Sequence, residues 1–147
     1  MPLRSAGDRE GVLAGLACGA LDCIASDHAP HERDSKEVEF DKASFGIIGL
    51  QTTLPLTLAQ VRAGKLTLNR AIESLTSSPA KCMKVALNSF QMGDPADIAV
   101  IDLEAEMVLS EKDILSKSKN TPFLGSTLKG LADRVFVAGR QVFQRDK

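Results

Sequence analysis

Apolar residues Val12, Leu13, Leu16 and Ala17 recur at the spacing of one helical face. Ser5 or Asp8 can cap the start of that helix, and Gly19 supplies a stop. The run from Leu21 to Ser26 is short and apolar, which predicts a buried strand fed by the helix, as in α/β layers. From Asp27 to Ser44 the pattern turns polar and charged. A loop of that length is uncommon unless it works as a lid or binding loop; the alternative is a solvated excursion.

Apolar spacing resumes at Phe45-Gly46-Ile-Ile-Gly-Leu50, where two glycines lie among apolar residues just before a helix over Leu50–Ala63. Pro55 inside that pattern predicts a kink or a first turn, and Gly64 ends it. Thr67 caps a second helix through Ala71, Ile72 and Leu75. Ser77-Ser78-Pro79 breaks it and opens a third short helix reaching about Leu87. Gly93 to Asp97 reads as a turn, Ile98 to Asp102 as a strand, and Glu106 to Leu109 as its hairpin partner. Arg134–Val137 and Gln141–Phe143 flank a turn at Ala138-Gly139-Arg140 and predict another hairpin. Between the hairpins, Ser116 to Gly125 is irregular. The change of character near residues 88–93 predicts a boundary between an α/β piece and a small β piece.

Composition narrows the function classes. The chain has 147 residues, 44% of them hydrophobic, and a formal charge of −1. No Lys/Arg cluster with interleaved aromatics points to nucleic acid, and with six Phe and no Trp or Tyr there is little for base stacking. No apolar run is long enough to span a bilayer, and the start of the chain has no signal-peptide pattern, so the reading is soluble and cytoplasmic. Cys18, Cys23 and Cys82 fit no zinc module, sit in apolar contexts and predict buried thiols in a reducing compartment.

The candidate chemistry gathers in Cys23-Ile-Ala-Ser-Asp-His-Ala-Pro-His31. An apolar run that ends on a carboxylate places Asp27 at a strand's C-terminal edge, where parallel barrels keep their active sites. Asp27 is either a metal contact and general base or a loop acid capping a turn. His28 and His31 are the two histidines of the chain. A metal site wants three or four ligands, and one tight turn can hardly converge all of its groups on one ion. His31 can point at a substrate carboxylate, whereas His28 reads as structural. Gly46, with Phe45 before it, lets a ligand approach the backbone closely. Glycine spacing excludes a phosphate-cradling loop, and Ser26 and Ser44 lack a nucleophile–base–orienter set.

These residues resemble the dihydroorotases of the amidohydrolase superfamily, in particular their bacterial type-I branch. Asp27-His-Ala-Pro-His31 is similar to the family's barrel-end motif, and Pro2-Leu-Arg4 to the end of its Asn-Pro-Pro-Leu-Arg segment. Phe45-Gly-Ile-Ile-Gly-Leu-Gln-Thr52 resembles Phe-Gly-x-x-Gly-Leu-Glu-Thr, with Gln51 in place of a common Glu. Ser78-Pro-Ala-Lys81, Asp94–Asp102 and Lys119-Asn-Thr-Pro-Phe123 resemble later segments in order.

The resemblance implies an α/β fold: the C-terminal part of a metal-dependent TIM-type (β/α)8 barrel hydrolase, its last strand and helices, over 1–90. Over 91–147 it implies the returning half of a small β-sandwich domain. It further implies zinc as cofactor, and reversible interconversion of dihydroorotate and N-carbamoyl-aspartate in pyrimidine synthesis. Asp27 matches the catalytic, metal-contacting aspartate, His31 a residue that binds the substrate carboxylate, and Phe45 and Gly46 a substrate-contacting backbone pair. The family's first-strand His-x-His/Arg segment, its metal-bridging residue and its two later histidines have no counterpart in the chain. The expectation is therefore a fragment inactive alone, which needs the missing barrel portion or self-association. Two rivals are a non-catalytic scaffold partner of aspartate transcarbamoylase and a hydantoinase- or allantoinase-like hydrolase of another cyclic amide.

Overall fold

A computed structural model describes residues 5–87 and 90–146. The Pro2-Leu3-Arg4 match and residues 88 and 89 of the expected boundary lie outside the described residues.

Helix α1 spans Ala6–Cys18 and starts as its sequence dictates. The Ser5 hydroxyl accepts from the Asp8 N–H, while the Asp8 carboxylate accepts from the Ser5 N–H, a reciprocal capping box. Gly19 closes the helix in the left-handed region at φ 82°. The Ser5 hydroxyl, and after it the Ser5 N–H, hold the Asp8 carboxyl below its ordinary range. Ser110 and Asp113 repeat the device on the single 3-10 turn Glu111–Asp113, with the same effect on Asp113. Both carboxyls titrate lower in the folded chain than unfolded, so their support is complete above the unfolded carboxylate range, about pH 4, and disappears as pH falls through the folded values. The protection of amides in the first turn of α1 against exchange should therefore fall on acidification below about pH 4, ahead of that of the β hairpin. Equal protection of both regions at every pH would contradict this.

Helix α2 spans Thr53–Arg62, with Pro55 in its first turn, where a missing N–H costs nothing. Helix α3 spans Leu68–Leu75, and Thr67 Oγ1 caps it by accepting from the Arg70 N–H. Helix α4 is shorter than expected, Ser77–Met83, because Lys84 turns left-handed at φ 55° and its N–H closes the last turn.

The expected strand over Leu21–Ser26 does not form among the described residues. The segment runs without a ladder partner and its groups are taken up by helices. The Leu21 N–H donates to Gly15 O and the Ile24 N–H to Ser74 O. Arg70 of α3 donates to the carbonyls of Leu16, Leu21 and Asp22. A strand needs a neighbour to satisfy its backbone, and here a guanidinium and a helix end take that role.

The sheet has three antiparallel strands in the order β1-β2-β3: β1 Ile98–Val108, β2 Thr127–Val137 and β3 Arg140–Gln144. The hairpin expected within 98–109 is instead one long strand, both halves of which pair with β2. Asp102 misleads the sequence reading: its Oδ1 accepts from the N–H groups of Glu104 and Ala105, a local turn that makes a bulge without reversing the chain. The β2–β3 hairpin forms around Ala138-Gly139 as expected.

The core joins the helical part to the sheet. Ile48, Leu109, Ile114, Leu128 and Leu131 form one buried cluster, with Met107 and Phe123 against it. Helix α2 lies on β2, where Leu58, 2% exposed, packs over Gly130. All three cysteines are exposed, contrary to the expected burial. Apolar neighbours in sequence do not say which way a side chain faces: Cys18 and Cys82 end helices and Cys23 lies on the unpaired segment. Partial desolvation, then Asp22 and Cys23, push the Cys82 thiol above its ordinary value.

Candidate functional site

Two loops build the candidate site. One carries Asp27, His28 and His31; the other runs from Phe45 to Gly49. They lie side by side because the Ala29 N–H donates to Ile47 O at 3.0 Å, and the N–H of Gly49 donates to His28 Nδ1 at 3.0 Å. His28 is thus the structural member of the pair, its Nδ1 kept as an acceptor.

Between the loops stands Gly46, whose φ of +108° is open to glycine and costly for other residues. A Cβ there would lie 2.6 Å from the Ala29 Cβ and 3.7 Å from His31 Nε2. Glycine at 46 is what lets the loops meet.

His31 Nε2 donates to the Phe45 carbonyl at 2.7 Å. A carbonyl only accepts, so Nε2 carries the proton, and Nδ1, which has no hydrogen bond among the described residues, is left for a ligand. The structure thus brings His31, Phe45 and Gly46 together. Asp27 stands four residues before His31, exposed, with its backbone left-handed at φ 46°. Aspartate is among the residues that tolerate that region, and such backbones recur at functional sites. Among the described residues its carboxylate takes no hydrogen bond and no ion pair.

Sequence reasoning missed the residues that hold these loops. Lys36 Nζ donates to Ser44 O at 2.6 Å and Gly46 O at 2.8 Å. Asn120 Nδ2 donates to Ala29 O at 2.9 Å and to Gly46 O at 3.3 Å, and the Ile48 N–H donates to Asn120 O. The signal for Asn120 was its place in Lys119-Asn-Thr-Pro-Phe123. Gln51 also acquires a role: its Nε2 donates to Asp113 O at 2.6 Å and its Oε1 accepts from the Leu115 N–H at 2.7 Å. Glutamate could make only the second bond. Gln51→Glu should therefore loosen residues 113–115, read as faster amide exchange there than in the unsubstituted chain.

A cavity of about 330 Å³ lies on the other side of His28, lined by Ile48, Gln51, Leu109, Ile114 and Leu115 among others. Asp27, His31, Phe45 and Gly46 do not line it, and its walls are mostly apolar. Among the described residues no group of three or more His, Cys, Asp or Glu could hold a metal ion. Asp27 offers one ligand where zinc needs three or four, so these residues do not by themselves fit that ion.

Compared with known proteins, the chain matches the amidohydrolase family over residues 3–142. It belongs to that family. This amidohydrolase chain is 45% identical over 142 residues to a dihydroorotase of Trichlorobacter lovleyi, covering 97% of the chain and 33% of the relative. It is 46% identical over 143 residues to a dihydroorotase of Geobacter sp., covering 97% and 34%. The chain spans about a third of the length of these curated relatives. Among solved structures, L-hydantoinase from Arthrobacter aurescens matches 99% of the chain and 34% of its own, with a TM-score of 0.89 and 30% identity. An inactive dihydroorotase-like domain of a Chaetomium thermophilum CAD-like multifunctional protein matches 95% and 36%, with a TM-score of 0.66 and 22% identity, a likeness of fold. No helix among the described residues is long and apolar enough to cross a membrane.

Proposed function

We propose that this chain is the part of a dihydroorotase-type hydrolase that supplies the aspartate and one half of the substrate pocket. In this reading residues 1–90 belong to a (β/α)8 barrel and 91–147 to a small β-sandwich domain. The observation that carries it is an uncommitted carboxylate, Asp27, ahead of a histidine whose Nδ1 is left for a ligand.

The chemistry follows from those groups. Asp27 takes a proton from the water that attacks the ring amide of dihydroorotate. It returns the proton to the ring nitrogen as the carbon–nitrogen bond breaks, giving N-carbamoyl-aspartate. The reverse sequence closes the ring. His31 binds the carboxylate of the substrate through its Nδ1 edge, with Nε2–H kept on Phe45 O. Backbone groups of Phe45 and Gly46 contact the ring. Zinc is the ion this reading calls for, and the remaining ligands have to come from outside the described residues. Cytoplasmic pyrimidine synthesis is the setting.

Exposed apolar side chains on the helical part, among them Val12, Leu21, Ile47 and Leu50, support a missing partner surface. The test adds the chain to the first two-thirds of the Geobacter dihydroorotase and follows dihydroorotate opening. Neither piece should turn over alone, and the mixture should. No turnover in the mixture, with zinc present, would defeat the reading. Co-purification with an aspartate transcarbamoylase, without turnover, would replace it by the scaffold role. Hydantoin opened faster than dihydroorotate would replace it by the related cyclic-amide reaction.

A further inference from the structure

We propose that Asn120 is a positioning residue that sets the spacing between the His31 and Gly46 loops. The inference rests on the reading of those two residues as substrate contacts. Asn120 sits on the irregular segment between β1 and β2, which returns across both loops from far along the chain.

The primary amide has two N–H donors and one carbonyl, and all are used. One N–H reaches Ala29 O at 2.9 Å and the other Gly46 O at 3.3 Å. The Ser118 hydroxyl sits between the Asn120 carbonyl oxygen and the His31 carbonyl and shares its one proton between them. The main-chain oxygen of Asn120 accepts from the Ile48 N–H at 3.1 Å. Ala29 and Gly46 face each other across the two loops, with room for no Cβ at 46. A single planar amide therefore bridges the two carbonyls on either side of that contact. Together with the direct bonds from the Ala29 N–H to Ile47 O and from His31 Nε2–H to Phe45 O, it holds His31 against the backbone that would face the ring. Lys36, donating to Gly46 O at 2.8 Å, shares the load on the Gly46 side. Its bonds span 8 and 10 residues, whereas those of Asn120 span 91 and 74. An aspartate at 120 would keep the shape and present a third acceptor to two carbonyls, forcing them apart.

The experiment uses Asn120→Asp in the full chain. Amide exchange over 27–32 and 44–49 should speed up about tenfold or more, the scale of losing a buried bond, while 134–144 stays at its unsubstituted rate. The chain has two histidines, so its ring nitrogen spectrum is simple. The His31 Nε2–H signal should shift or broaden. In the complemented enzyme, KM for dihydroorotate should rise about tenfold with kcat within about threefold, because binding geometry and not the proton transfer is disturbed. Unchanged exchange in both loops, an unmoved His31 signal, or an unchanged KM would each overturn the proposal. Should Asn120→Asp unfold the chain, Ser118→Ala decides: faster exchange confined to 27–32 supports the clamp, and no change overturns it. If the unsubstituted mixture fails to open dihydroorotate, the functional reading falls while the exchange and ring signals still judge the clamp.

Discussion

Asp27→Asn is expected to lower kcat for dihydroorotate opening in the complemented enzyme by about 10²–10⁴, the usual contribution of a positioned general base. The substitution keeps size and shape and removes the charge. Asparagine also tolerates the left-handed backbone that Asp27 adopts at φ 46°, so the loop should survive the change. Since the carboxylate has no hydrogen bond or ion pair among the described residues, little folding stability depends on it, and melting should be unaltered. KM should move little, because the substrate-contacting groups assigned here are His31 and Gly46. His31→Ala is the natural contrast, with a raised KM for a carboxylate-bearing ring. An Asp27→Asn enzyme with full turnover would remove Asp27 from the chemistry and return it to the role of an ordinary loop acid.

Gly130→Ala is expected to destabilise the chain by about 2–5 kcal/mol, the sum of a left-handed backbone penalty and overpacking. Gly130 sits in β2 at φ +83°, and a Cβ there would lie 2.4 Å from Leu58 Cδ1. Leu58 is 2% exposed, so it can yield only by pressing on its buried neighbours. Gly125 makes the control: its φ is +78° but nothing lies within 4 Å of a Cβ. Gly125→Ala should therefore cost only the backbone term, about 1–2 kcal/mol. Urea midpoints at constant slope measure both. Pairing Gly130→Ala with Leu58→Ala should cost less than the two added separately, since the truncated leucine makes room for the methyl. Equal losses at 125 and 130 would mean that α2 does not rest on β2 as described.

The second prediction depends on long-range packing, and it marks how far the sequence could be read. A cap at Ser5 or Asp8, the Gly19 stop, the Thr67 cap and the hairpin at Ala138-Gly139 were all legible. Each is decided by groups three or four residues apart, so the signal is written in adjacent letters. The Asp27, His31 and Phe45-Gly46 candidates were legible as residue types and motif, and their roles came through family resemblance.

What the sequence by itself determined is this local grammar and the family it belongs to. Only the tertiary structure decided that 98–108 continues as one strand through the Asp102 turn, that Leu21–Ser26 is held by Arg70 and Ser74 instead of a sheet, and that the cysteines face outward. It alone brought Asn120 to Ala29 and Gly46 across separations of 91 and 74 residues. A backbone group accepts whichever donor the fold delivers, and nothing in its neighbouring residues names that donor in advance.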